Sequence, residues 1–335
     1  MGERRVEDHA AGSRPSIRAV AAVAGVSPTT VSHALSGTRA VKAETRDRVV
    51  RAAEMLGYTP NRVASGLRRQ RTGVIGLASD RIATTPFAGR IVQGAQEAAR
   101  ERDAVLMVVD SEGDPRLEDA QLRALLDHRV DGILLARMSH QEVVRPAGLG
   151  EVPTVLLDGG RGDPRLVAAG HRRIGYATTT DAAPASRGRD AGFRVALEAA
   201  GLDAARAPIE RGASDAAGGR AAGRRLLDRP REERPTAVFC FNDQMAMGVF
   251  QAASALGLAV PHDCSIVGVD DLEIVAAALE PGLTTIALPH REMGRWGMTT
   301  LLDHLDGAAT DAPEPMLLAC ELVERGSVAP PPSAR

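Results

Sequence analysis

Aromatic side chains make up 2% of this 335-residue chain, so ring platforms for stacking a flat or sugar-like ligand are scarce. Lysine is scarcer still: Lys42 is the only one, and the basic charge is otherwise arginine. The three cysteines, Cys240, Cys264 and Cys320, lie far apart in or beside apolar runs, which fits buried reduced thiols in a cytoplasmic protein better than a disulfide framework. The eight histidines show no HxxxH spacing and there is no CxxC pair, so neither a metal nor a cofactor is expected. No apolar run approaches the roughly 20 residues of a membrane span. The start, MGERRVEDHAAGSRP, lacks the apolar core of a secretory signal, and residues 1–15 read as a disordered tail. No G-x-S-x-G, Walker-type or H-E-x-x-H pattern occurs, so the chain does not read as an enzyme. The pair Asp270-Asp271 does not change that, because neighbours at a strand end point to opposite sides.

What is present is unevenly charged. Residues 1–72 hold 12 Arg and 1 Lys against 6 acidic residues, or +7; with −2 overall, the remaining 263 residues carry −9. A basic module on an acidic body is the asymmetry of a domain that meets phosphate.

Within the basic part, Ile17, Val20, Ala21 and Ala24 fall at helical spacing, and Gly25 follows where a left-handed helix end favours glycine. Ser27 can cap a second helix with Pro28 at its first position. Val31 and Leu35 would face back onto the first helix, leaving Thr29, Thr30, Ser32 and His33 exposed. Two short helices about a glycine turn make a helix-turn-helix, whose second helix presents small polar side chains suited to base edges in a major groove. A third helix is predicted over 41–58, with Val49, Ala53 and Leu56 as its apolar stripe. The stretch NRVASGLRRQRTG (61–73) has one apolar side, Val63, Ala64 and Leu67, crowded by Arg62, Arg68, Arg69 and Arg71. It is too short to hold as an isolated helix, and reads as a segment that folds only against DNA or a second copy.

The ordered pattern IRAVAAVAGVSPTTVSHALSG…VKAETRDRVVRAAEMLGYTPNRVASGL resembles the DNA-binding domain and hinge of the lactose-repressor/galactose-repressor (LacI/GalR) family. The resemblance implies that Pro28, Thr29 and His33 read bases, that Asn61 and Arg62 lie near phosphates, and that Leu67 is a minor-groove wedge. Ser16, Ser27, Thr30, Ser32 and Ala64 complete the implied DNA-binding set. This chain departs from the pattern at three places. His33 stands where Arg is common, Lys42 where a Ser usually caps the third helix, and Gly66 makes the hinge helix costlier by about 1 kcal/mol than Ala would.

From Gly73 onward, apolar runs at 73–79, 104–110, 132–136, 153–158, 173–179, 236–241, 265–270 and 283–288 read as buried parallel strands. Helices are predicted between them near 87–102, 115–128, 140–148, 189–201, 215–228, 242–257 and 290–306. Alternation of this kind predicts two doubly wound parallel-sheet α/β subdomains, like a periplasmic binding protein, behind an all-α helix-turn-helix domain. The expected divisions are helix-turn-helix 16–60, hinge 61–72 and a two-lobed core 73–328. Its N-subdomain spans about 73–158 and 289–310, its C-subdomain about 159–288 and 311–328, and a disordered tail follows at 329–335.

Ligands bind such sheets beyond the carboxyl ends of the strands, which directs attention to Asp80, Asp110, Asp158, Asn242-Asp243 and Asp270-Asp271. The resemblance implies an effector cleft there, lined by Pro86, Phe87, Arg189, Asn242 and Asp270, with Asp80 and Asp158 at neighbouring strand ends. Each could equally be a cap or turn residue. Ser214 occupies the place where the family often has an aromatic platform. Only GGRGDPRLVAAG separates Asp158 from His171, about the minimum for one crossover, so a strand and a helix of the family pattern are expected to be missing.

The expectation is a cytoplasmic, nucleoid-associated transcriptional repressor. Its partners would be double-stranded operator DNA, a sugar or nucleoside-like effector and a second copy in a homodimer, with no membrane. A soluble sugar-binding module, an α/β enzyme, and a constitutive DNA binder that has lost effector response stand as alternatives.

Overall fold

The computed structural model describes residues 15–36, 39–58, 71–138, 146–158, 169–181, 184–308 and 316–332. Contacts divide the chain into two compact units, Met1–Thr72 and Gly73–Arg335. The expected hinge residues Asn61, Arg62, Ala64 and Leu67 lie outside the described residues, as do 159–168, including the GGRGDP stretch.

In the first unit, α1 (Ile17–Ala24), α2 (Pro28–Ser36) and α3 (Ala43–Leu56) pack around Val20, Ala21, Ala24, Val31, Val49, Ala52 and Ala53. Of the stripes expected from the sequence, Val20, Ala21, Ala24, Val31, Val49 and Ala53 are buried here, and Ile17, Leu35 and Leu56 pack against them partly buried.

The second unit holds two sheets. A four-stranded parallel sheet has the order β2-β1-β3-β4, from β1 (Val74–Ser79), β2 (Val105–Asp110), β3 (Gly132–Arg137) and β4 (Thr154–Asp158). Helices α4 (Ala88–Glu101) and α10 (His290–Leu305) cover one face, and α5 (Pro115–Asp127) covers the other. Alternate strand residues serve the two cores: Leu77 and Leu134 face α4 and α10, while Ala78, Ile133 and Leu135 face α5. Trp296 packs at the margin of the first of these cores.

The second sheet has the order β10-β9-β8-β7-β5-β6. Its strands are β5 (Ile174–Thr179), β6 (Ile209–Gly212), β7 (Ala237–Cys240), β8 (Ser265–Asp270), β9 (Thr284–Ala287) and β10 (Glu321–Val323). Helices α7 (Ala216–Leu227) and α8 (Asp243–Ala255) bury one face and α6 (Pro184–Ala199) the other, with the short α9 (Glu273–Ala276) after β8.

In each lobe one helix pair is locked by glycines. A Cβ at Gly94 of α4 would collide with the Arg291 carbonyl of α10, and one at Gly294 with the Ile91 carbonyl. Between α7 and α8, Gly219 meets the Met245 backbone and Gly248 that of Ala216 in the same way.

Four expectations need correction. The second sheet is not wholly parallel, since β10 runs antiparallel to β9. No strand is expected from the sequence at β6 or β10, which are short and lie at the sheet's two edges. Helix α6 starts at Pro184 rather than near 189, which sets Arg189 inside the helix. Most of the helix expected over 140–148 lies outside the described residues, and Ala147–Leu149 form a 3-10 turn. The tail also begins later than 329: the Ala329 N–H donates to Ser265 Oγ at 3.1 Å.

Cys240 and Cys264 are buried and Cys320 half-buried, and none of the three forms a disulfide. Burial pushes the Cys264 thiol up to about 12 and the Cys240 thiol well above its ordinary value. No helix among the described residues is long and apolar enough to cross a membrane.

Candidate DNA-reading face and interlobe cleft

Sequence chemistry sets the geometry of the helix pair. Ser16 caps α1, its Oγ accepting from the Ala19 N–H at 3.3 Å. Gly25 adopts φ 64° and closes the helix by donating to the Ala21 carbonyl. Ser27 Oγ then accepts from the Thr30 N–H at 3.1 Å and pairs with the Thr30 hydroxyl at 2.9 Å, capping α2 with Pro28 at its first position. Val31 is fully buried and anchors the helix. Ser27, Pro28 and Thr29 are exposed, whereas Thr30, Ser32 and His33 are half-buried. Lys42 precedes α3 without giving a side-chain cap, as its chemistry requires.

In the second unit the strand-end residues divide into two kinds. Asp80, Asp110 and Asn242 are engaged by backbone. Asp80 Oδ1 accepts from Met138 N at 2.9 Å, and Asp110 from Ala83 N at 2.7 Å and Glu112 N at 3.0 Å. Asn242 caps α8, accepting from Met245 N at 2.7 Å, and its amide donates to the Ser214 carbonyl at 3.0 Å. These are the backbone contacts of cap and turn residues. Asp158 ends β4, pairing with Arg137 in register.

Arg189 and Asp270 are of the other kind. Arg189 is 6% exposed; its Nη1 donates to the Phe241 carbonyl at 2.6 Å and its guanidinium lies 4.4 Å from the Phe241 ring centre. Its Nε is buried with no hydrogen-bond partner among the described residues. It reaches Asp270 only at 3.6 Å, longer than a direct hydrogen bond. Burial pushes Asp270 up to about 6, with Arg189 opposing. Asp270 also holds φ 116°, a conformation costly for a residue with a Cβ. Asp271 turns away to Arg325 at 2.8 Å, so the two carboxylates diverge as expected.

Beneath them lies Asp243, fully buried at the first position of α8. It accepts from Thr285 Oγ1 at 2.5 Å and from Leu272 N at 2.7 Å, tying α8 to β9 and to the chain after Asp271. Burial lifts it to about 7 against the pull of the Thr285 hydroxyl.

From the first lobe, Pro86 is exposed and Phe87 half-buried at the start of α4. Arg90 reaches Glu273 of the second lobe at 3.7 Å. The Phe87 ring stacks on His290, with centroids 4.2 Å apart. His290 carries no signal in the sequence, because a single histidine at a helix start belongs to no motif.

The family described as "Bacterial regulatory proteins, lacI family" matches residues 16–61. The family described as "Periplasmic binding protein-like domain" matches residues 164–328. The ribose operon repressor of Escherichia coli (strain K12) is 34% identical over 331 residues, covering 92% of this chain and 98% of that one.

The chain belongs to the LacI family.

Other relatives agree with that placement. The HTH-type transcriptional repressor PurR of Yersinia pestis bv. Antiqua (strain Antiqua) is 33% identical over 339 residues, covering 94% of this chain and 97% of the relative. The crystal structure of the lac repressor dimer bound to operator and the anti-inducer ONPF superposes with a TM-score of 0.74 at 28% identity, over 95% of this chain and all of that one. The complex of the transcriptional regulator CelR with cellobiose gives a TM-score of 0.65 at 32% identity, over 94% of this chain and 100% of that one. This LacI-family protein is therefore a DNA-binding transcriptional regulator and not an enzyme. The alternatives of a free-standing sugar-binding module and an α/β enzyme fall away.

Proposed function

We propose that this LacI-family protein is a homodimeric repressor that sets one helix-turn-helix on each half-site of its operator and releases or tightens it when a sugar or nucleoside-like metabolite binds between the lobes. Ser16, Ser27, Pro28, Thr29, Thr30, Ser32 and His33 meet the DNA, joined by Asn61, Arg62, Ala64 and Leu67 of the hinge. Asp80, Pro86, Phe87, Asp158, Arg189, Asn242 and Asp270 line the effector cleft. The domain divisions are helix-turn-helix 16–60, hinge 61–72 and core 73–328. The core splits into lobes near 73–158 with 289–310, and 159–288 with 311–328. The site of action is the cytoplasm, on the nucleoid.

The observation that carries effector control is the Arg189–Asp270 pair. A buried guanidinium with an unpartnered Nε, facing a half-buried carboxylate at 3.6 Å, suits a ligand that both donates and accepts, as a polyol does. The exposed Ser27-Pro28-Thr29 start of α2 supports the DNA reading.

Fluorescence anisotropy against the protein's own upstream DNA, repeated with a panel of pentoses, hexoses, disaccharides and nucleosides, tests both halves. Saturable, sequence-selective binding that one panel class shifts is the expected result. Binding that no class shifts would favour a constitutive binder, and no selective binding would overturn the proposal.

A further inference from the structure

Two buried histidines in the second unit are used very differently. His171 engages both ring nitrogens: Nδ1 pairs with Thr236 Oγ1 at 2.9 Å, and Nε2 meets Ser265 Oγ at 3.1 Å and the Ala329 carbonyl at 2.9 Å. His290 is as deeply buried, at 2% exposure, yet its Nδ1 has no hydrogen-bond partner among the described residues. Its ring lies parallel to Phe87 within 7°. Packing alone does not require a nitrogen there. An apolar side chain of similar size would keep the contact with Phe87 and leave no polar atom unsatisfied.

The position of His290 adds to this. It is the first residue of α10, where the chain passes from β9 in the second sheet to the helix that covers the first. It also sits within electrostatic reach of Arg189, whose Nε is likewise buried and unpartnered.

We infer that His290 is a specificity-determining contact of the interlobe cleft, its free imidazole nitrogen pairing with a hydroxyl of the small molecule bound there. The inference rests on the cleft reading proposed above. A hydroxyl both donates and accepts, so it satisfies either tautomer of a neutral imidazole. Burial, reinforced by Arg189 and Arg90, pushes His290 down to about 4 and keeps the ring neutral. The positive charges facing it are already opposed, Arg189 by Asp270 at 3.6 Å and Arg90 by Glu273 at 3.7 Å. That leaves no surplus charge for a carboxylate or phosphate ligand, and favours an uncharged polyhydroxylated one.

The test uses the full-length protein and two variants, His290→Phe and His290→Met, in thermal melts and calorimetric titrations. The ligands are pentoses, hexoses, disaccharides and nucleosides, with their monodeoxy analogues. Without ligand, at least one variant should melt about 1–3 °C above the wild type, because an unsatisfied buried nitrogen has been removed. The ligand that binds the wild type most tightly should bind both variants about tenfold more weakly. One monodeoxy analogue should be rejected by the wild type but bound by the variants as well as its parent. Lower melting temperatures in both variants, or unchanged affinity in both, would overturn the inference. If no panel member shifts the wild type, the cleft reading itself has failed and the inference falls with it.

Discussion

Asp243 shows how one side chain can fix the rim of a site without touching a ligand. Its two oxygens are both acceptors, one for Thr285 and one for Leu272, which lies just after the left-handed pair Asp270-Asp271. Burial raises Asp243 to about 7 and Asp270 to about 6, above the ordinary 3.8. The folded state therefore binds these protons more tightly than the unfolded chain does. That contribution to stability is complete below about pH 4 and is lost as pH rises through about 6 to 7. Denaturant midpoints at pH 5 and pH 8 should show it: Asp243→Asn should start less stable at pH 5 and lose about 2 kcal/mol less than the wild type on going to pH 8. Gly268 leaves the space this carboxylate occupies, since a Cβ there would collide with Asp243 Oδ1. Gly268→Ala should destabilise the protein by about 1–3 kcal/mol, read as a lowered melting temperature. Neither role is visible in the sequence, which marks Asp243 only as one of several strand-end residues where a ligand could bind. The partners that give it meaning, Thr285 and Leu272, lie 42 and 29 positions away.

Among the elements, legibility followed burial. The runs GVIGLAS and SIVGVD are mostly apolar because β1 and β8 are covered on both faces, and their expected bounds agree with the strands to within a residue. β6, with the sequence IERG, and β10, with ELV, have a strand neighbour on one side only and carry charged residues, so no apolar run announced them. Caps were the most legible feature of the helix pair, because Ser27 and Gly25 act through local backbone alone. Ser27→Ala should cost α2 about 1 kcal/mol, since it removes the acceptor for the Thr30 N–H. The reverse holds at α3: Lys42→Ser should supply a missing cap and stabilise the helix by about 1 kcal/mol. Hydrogen exchange at the first amides of α3 in the full-length protein would slow in that variant. Faster or unchanged exchange would contradict the cap argument.

For the whole molecule, segregated charge makes a prediction that no single residue carries. With +7 on residues 1–72 and −9 on the remainder, DNA affinity should come from phosphate neutralisation by the first part alone. Operator affinity should fall roughly a thousandfold between 50 and 200 mM salt, as expected for six or more phosphate contacts. A near-flat salt dependence in anisotropy titrations would contradict the charge argument.

The glycine-locked helix pairs set the terms on which the second unit can change shape. Where the backbone of α4 touches α10 at Gly94 and Gly294, and α7 touches α8 at Gly219 and Gly248, one added methyl has nowhere to go. Like meshed gear teeth, such pairs resist sliding, so each lobe is built to turn as a solid piece and not to shear internally. Variation that adapts the regulator to a new metabolite then has little freedom in these helices. It falls to the strand-end loops, where a changed side chain alters what is recognised while the gearing beneath stays intact.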